Sequence, residues 1–499
     1  MKLLIVEDEH KAAAYLSRGL EELTVSRLSN VYGRLTALPV LAALVCAMIL
    51  SGCAAYRPRP VDVRQSLAAF EARRLDAPGL RRYMEQALHR PVAAWPLPSW
   101  DFEQLTLAAD YYNADLAGAR AKLAVSQAAV ISAGARPNPT LTFSPSYDTT
   151  AEPGISPWTL GFTLDVPIET AGKRGYRLAE ARHLANAASL EAAGAAWQVR
   201  STLRKTLVQL RAAERTQDVL SRQQVADNLA ARLLANRLSV GEASATEVEV
   251  VRIAADQSAL QLQEARKQTA QMRFEVAAAL GVPAAALDGV RLSLSALDIF
   301  PSPEQVAPSR EQALLDRTDV LAALAEYQAS DSALRLELAR QYPDLDIGPG
   351  FSHGYTANEL ENSLTFGLSL TLPLLNHNQG PIAEAQARRR EAAANFNAVQ
   401  AHAVTEVDAA LSAYRASLAK LHTANALLAD QHRRMDSMQA LFNAGETDHL
   451  TLAQTQSELA TDELARLQAF TEAQLALGAL ENAMQHAPGA VDVRSGGHP

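Results

Sequence analysis

Residues 136–175 read RPNPTLTFSPSYDTT…SPWTLGFTLDVPIETAGKRG, and residues 340–381 read RQYPDLDIGPGFSHG…ENSLTFGLSLTLPLLNHNQGP. Each stretch holds two alternating runs around a polar loop. In the first run Leu141, Phe143 and Tyr147 share one side, while Thr140, Thr142, Ser144 and Ser146 share the other. The second sets Trp158, Leu160, Phe162, Leu164, Val166 and Ile168 against Thr159, Gly161, Thr163 and Asp165. In the later copy Leu345, Ile347 and Phe351 oppose Asp344, Asp346, Gly348 and Gly350. Its last run puts Leu364, Phe366, Leu368, Leu370 and Leu372 opposite Thr365, Gly367, Ser369 and Thr371. A period of two predicts strands with one apolar and one polar face.

The echo reaches beyond the strands. One offset of 204 positions maps Asp115 to Asp319, Arg136 to Arg340, Pro139 to Pro343, Leu141 to Leu345, Gly241 to Gly445 and Glu242 to Glu446. Alanine matches carry no weight in so alanine-rich a chain. The rarer identities at one spacing predict a duplicated unit, helix–β-hairpin–helical hairpin.

Long helical sequence flanks both hairpins. One helix is expected from about Phe102 to Ala135, ended by Asn138 and its flanking prolines, and another from Gly175 to Leu238, roughly 95 Å long at 1.5 Å per residue. Gly241-Glu242 turns the chain. Ser244 with Glu247 forms a capping box for the return helix, which Gly281 and Pro283 end at Leu280. The second half repeats this: a helix over about Glu311 to Arg340, the hairpin, a helix from Pro381 to Phe442, the turn 443–447, and a last helix to about Met484. Val404, Val407, Leu411, Tyr414, Leu418, Leu421, Asn425, Leu428, His432 and Met435 form a heptad seam, which predicts coiled-coil packing. Two readings of Asn425 stand side by side: it fixes the register, or the seam drifts to the surface there. His432 is read as a packing residue.

The resulting division is 1–52 leader, 53–100 lipid anchor and extended strap with one short helix near Gln65 to His89, 101–280 first repeat, 281–310 proline-rich linker, 311–485 second repeat, and 486–499 disordered tail. Within the leader, the apolar run Leu38–Leu50 follows Arg34 and ends Leu50-Ser51-Gly52-Cys53. This is a bacterial lipoprotein signal, in which Cys53 becomes lipidated and the preceding residues are removed. Ala54 after the cysteine favours the outer membrane. The remaining cysteine, Cys46, lies in the leader, so the mature chain has no disulfide or thiolate metal site. Residues 1–20, MKLLIVEDEHKAAAYLSRGL, resemble the opening of a response-regulator receiver domain of heavy-metal-responsive systems, with the acidic pair Glu7-Asp8. They stop before a phosphoacceptor aspartate or the family's lysine, and no receiver can fold from them.

Net charge −9 gives no basic field for nucleic acid. Catalytic motifs are missing too. Gly172-Lys173-Arg174-Gly175 is no phosphate loop, because Pro167 stands where its first glycine belongs and Arg174 follows the lysine. There is no HExxH, no nucleophile elbow and no histidine cluster. The expectation is a non-enzyme without cofactor or metal centre. Four amphipathic strands cannot close a barrel, and open edges cannot sit in lipid. Since barrels start at about eight strands, at least two copies must assemble.

From about Asp101 to Met484 the chain resembles the TolC-family outer-membrane efflux proteins. The phrases ARPNPTLTFSPSY and VPIETAGKRGYRLAEA, the tips SVGEAS and NAGETD, and the duplication itself carry the likeness. The resemblance implies a mainly α fold with a small β-barrel portion. Three copies would build an α-helical tunnel across the periplasm, capped by a 12-stranded transmembrane β-barrel. It implies an outer-membrane homotrimer touching lipid and working with a periplasmic adaptor protein and an inner-membrane pump of the RND type. PIETAGKRG is similar to members serving heavy-metal cation pumps; export of drugs or organic solutes is the alternative. A structural lipoprotein stalk is the alternative of another class. Asp165, Asp344 and Asp346 are the expected lumen acids. Gly241, Glu242, Gly445, Glu446 and Asp448 are the expected periplasmic tip, gate and adaptor contact, with helix capping as the competing role of the three acids.

Overall fold

The computed structural model describes residues 56–152, 155–303, 310–356 and 359–485. The lipoprotein signal with Cys53, the receiver-like start and the tail lie outside the described residues. Two compact units separate at Leu67. In the first, Asp62 accepts from the amides of Arg64 and Gln65 and so starts helix α1, Val63–Glu71, which runs on past the division.

The second unit carries α2 (Pro78–Leu88), α3 (Phe102–Tyr112), α4 (Ala114–Ala133), β1 (Thr140–Tyr147), β2 (Trp158–Ile168), α5 (Lys173–Ser239) and α6 (Ala245–Leu280). After two 3₁₀ turns come α7 (Arg310–Asp316), α8 (Thr318–Ala339), β3 (Leu345–Thr356), β4 (Glu359–Leu370), α9 (Gln379–Asn443) and α10 (His449–Met484). The offset of 204 relates α6 to α10 end for end, and their left-handed C-caps, Gly281 and Gln485, are also equivalent.

The four strands form one antiparallel sheet in the order β1-β2-β3-β4. Its register keeps the alternation in phase. Phe143 faces Phe162, Phe162 faces Phe351, and Phe351 faces Leu364 on one face. That face is solvent-exposed in the single chain, with Phe366 at 80 %. A one-residue slip would mix the faces.

Three helices read as single are corrected to pairs. The strap's short helix is α1 and α2. Helices α3 and α4 part at Asn113, and α7 and α8 part at Arg317, positions again 204 apart. At the first break Asn113 turns to ψ 127° and its side chain accepts from the amides of Asp115 and Leu116, restarting the helix. Its Nδ2 donates to the carbonyl of Ala279 (3.1 Å), while Arg317 Nη1 donates to the equivalent carbonyl of Ala483 (2.6 Å). Each break thus docks onto the end of its own return helix.

Around α5 pack α4, α6, α8 and α10, whereas α9 packs against α8 and α10. The main core gathers Leu80, Met84, Leu105, Leu203, Leu207, Val276 and Leu280 where the strap and linker cross the first repeat. A second lies under Val407, Leu411, Tyr414, Leu477 and Leu480. The heptad seam therefore buries Val407, Leu411, Tyr414 and Leu421, but Asn425 and His432 are exposed and Gln431 is buried instead. Asn425 accepts from Arg466 Nε at 3.0 Å, tying α9 to α10 beside the seam. Among the described residues no helix is long and apolar enough to cross a membrane.

Candidate functional site: helical tips and polar strand face

The tips share one geometry. Gly241 at φ 80° and Gly445 at φ 77° take the left-handed conformation that ends a helix. Beyond them Glu242 N–H donates to the Arg237 carbonyl (2.8 Å) and Glu446 N–H to that of Leu441 (2.9 Å). A Cβ at either glycine would meet open space, so backbone conformation alone demands the residue.

The return helices are capped differently. Ser244 Oγ accepts from Glu247 N–H (3.2 Å) and the Ser244 amide donates to Glu247 Oε2 (2.7 Å), the reciprocal box read from sequence. At the second tip Asp448 accepts from Thr451 N–H at 2.8 Å and also pairs with Arg237 of the first tip. The Thr451 amide and then the Arg237 guanidinium hold the Asp448 carboxyl down to about 2. Asp448 is thus both a cap and a cross-tip clasp. The side chains of Glu242 and Glu446 are exposed and make no hydrogen bond or ion pair among the described residues. Arg237 escaped the sequence reading; its only signal is a basic residue in the last turn of α5.

The polar strand face is crowded over its glycines. A Cβ on Gly348 would stand 2.8 Å from Asp165 Oδ1, and one on Gly350 would stand 2.5 Å from Thr365 Oγ1. Side chains of β2 and β4 therefore lean across β3 and line that face with hydroxyls and Asp165. Asp346 shares the face at the helix end of β3.

Asp344, one of the expected lumen acids, is tied to the first hairpin's exit. It accepts from Lys173 Nζ at 2.7 Å and from the Thr170 amide at 2.8 Å, while Lys173 also donates to the Tyr342 carbonyl (2.6 Å). Lys173 is only 7 % exposed. Burial pushes the Asp344 carboxyl up, but the Lys173 and Thr170 donors outweigh it and the net direction is down. The GKRG lysine is therefore a hinge pin between the first hairpin's exit and the second hairpin's entry. Deeper in the bundle, Arg204 of α5 is buried, donates to the Gln474 carbonyl (2.7 Å) and Gln474 Oε1 (3.0 Å), and forms an ion pair with Glu481 Oε2 (3.1 Å), all on α10. Burial lowers the Arg204 pKa against the pull of Glu481. No cluster of three or more histidine, cysteine, aspartate or glutamate side chains suited to a metal occurs among the described residues.

What the arrangement offers is two ends of different chemistry, a hydroxyl-lined sheet face and a pair of clasped acidic tips. The fold is shared with known proteins. The outer membrane protein VceC from Vibrio cholerae superposes with a TM-score of 0.62 at 17% identity, covering 77% of this chain and 96% of that one. The open-state MtrE outer membrane channel from Neisseria gonorrhoeae gives 0.62 at 15% identity, covering 77% and 89%. In sequence, the cobalt-zinc-cadmium resistance protein CzcC from Cupriavidus metallidurans is 27% identical over 218 residues, 44% of this chain. The chain spans about half the length of that curated relative, 50% of it. The outer membrane efflux protein profile matches twice, over residues 109–282 and 310–485, once for each repeat. The chain belongs to the outer membrane efflux protein family.

Proposed function

We propose that this chain is the outer-membrane channel subunit of a tripartite efflux system, a passive conduit for heavy-metal cations across the periplasm and outer membrane. The observation that carries the channel reading is the in-phase sheet. Four strands present a continuous apolar face on one side and a polar face on the other, yet leave β1 and β4 as open edges. Lipid does not tolerate such edges, and three copies, twelve strands, would remove them. In that assembly Asp165 and Asp346 line the lumen and Asp344 braces its base. The tips Gly241-Glu242 and Gly445–Asp448 form the periplasmic mouth, where an adaptor protein docks. Cys53 carries the lipid anchor. An inner-membrane pump of the RND type supplies the energy.

The metal cargo is supported by the likeness to CzcC, a cobalt-zinc-cadmium resistance protein by name, and by the PIETAGKRG phrase. Deleting the gene is expected to lower tolerance to heavy-metal cations several-fold and leave tolerance to dyes and detergents unchanged. Loss of drug tolerance alone would overturn the cargo and leave the conduit standing. Unchanged tolerance to both, with no conductance in planar bilayers, would favour the lipoprotein stalk.

A further inference from the structure

The internal duplication supplies a template for the seam between copies. Within one chain, the second hairpin follows the first through the β2–β3 pairing and through α8 packing on α5. In a closed ring of head-to-tail copies, the first hairpin of the next copy follows the second hairpin of this one in the same way. Moving each β2–β3 partner by 204, forward in one chain and back in its neighbour, converts known pairs into intermolecular ones. Phe162↔Phe351 becomes Phe366↔Tyr147, Thr163↔Gly350 becomes Gly367↔Ser146, and Val166↔Ile347 becomes Leu370↔Phe143.

We propose that β4 of one copy pairs with β1 of the next in this register, Phe366 opposite Tyr147 and Leu370 opposite Phe143. It rests on the trimeric channel reading. Three features fit it. The register matches apolar to apolar on one face and small polar to small polar on the other. Pro145 in β1 is no obstacle, since its equivalent, Pro349, already sits in β3 with a strand on each side. On the exposed side of α4 lie Gly118, Ala121 and Val125, the last 71 % exposed. Their equivalents on α8, Ala322, Ala325 and Ala329, are buried, Ala329 to 4 %. Helix α8 has α5 and α9 beside it, whereas α4 has only α5, so the missing neighbour of α4 is an α9.

Cysteine cross-linking in outer-membrane vesicles tests the register, because residues 54–499 contain no cysteine. Directly opposed strand residues stand about 4.5–5.5 Å apart and diagonal ones about 7–8 Å. The full-length double variant Leu370→Cys with Phe143→Cys is expected to form dimer and trimer bands on mild oxidation. Leu370→Cys with Leu141→Cys, and Leu368→Cys with Phe143→Cys, are expected to do so at least tenfold more slowly. Faster linking of either offset pair overturns the register. So does equal linking of all three. Native mass measurement separates the layers: a trimer in which none of the pairs links refutes the seam alone, and any other stoichiometry refutes the channel reading as well.

Discussion

Replacing Asp448 separates the two tasks of the second tip. Its carboxylate caps α10 through the Thr451 amide and pairs with Arg237 across the tips. The folded-state pKa is down at about 2 against an ordinary 3.8, so the stability it lends is complete above 3.8 and disappears as pH falls through about 2. Taken at face value that difference is worth roughly 2.5 kcal/mol. The two side chains are 44% and 37% exposed, so solvent screening reduces it to about 1 kcal/mol. Loss of an N-cap is independently worth about 1 kcal/mol. Asp448→Ala removes cap and clasp together and should raise the opening constant of the α10 N-terminus about fivefold at neutral pH, about 1 kcal/mol. Asp448→Asn keeps a capping oxygen and loses the charge, so its effect should be under twofold at low salt and vanish as ionic strength rises. The assay is amide hydrogen exchange of peptides spanning 445–455 in the purified full-length protein. An unchanged exchange rate in Asp448→Ala would refute the reasoning. Equal effects of the two variants would assign the stability to the clasp instead of the cap.

The uncapped acids should behave differently. Glu242→Gln with Glu446→Gln is expected to leave thermal stability within about 0.5 kcal/mol, since neither side chain bonds another described residue, and to lower cation selectivity of the reconstituted channel at low salt; selectivity unchanged at every salt concentration would remove the tips from the conduction path. Lys173→Met should cost about 1–2 kcal/mol by stranding the Tyr342 carbonyl and depriving Asp344 of its cation, read as a lower Tm by calorimetry; an unaltered Tm would deny the hinge pin any energetic role.

Much of this architecture is visible in the residues themselves. The strands announce themselves because period-two alternation is a local property, and the apolar set of each run lands on one face of the observed sheet. The tips are equally local: Gly241, Gly445 and the Ser244–Glu247 box act within a few residues of themselves. The spacing of 204 tells more than any single motif, since it extends to helix breaks and caps that share no residue type, Asn113 with Arg317 and Gly281 with Gln485.

What the sequence left undecided depends on groups far apart in the chain. Helical periodicity runs through Asn113 and Arg317; Asn113 carries a local N-cap through Asp115 and Leu116, and at each break the side chain also reaches a carbonyl 166 positions away. Asp344 alternates correctly as a strand-face acid, yet Lys173, 171 positions earlier, claims its carboxylate. Asp448 reads as a cap and becomes a clasp only when Arg237, 211 positions back, arrives beside it. Periodicity and capping fix what each element is, because their energies come from neighbours in sequence. Which charged group meets which is fixed by strand register and helix packing, and that is where the tertiary structure alone decides.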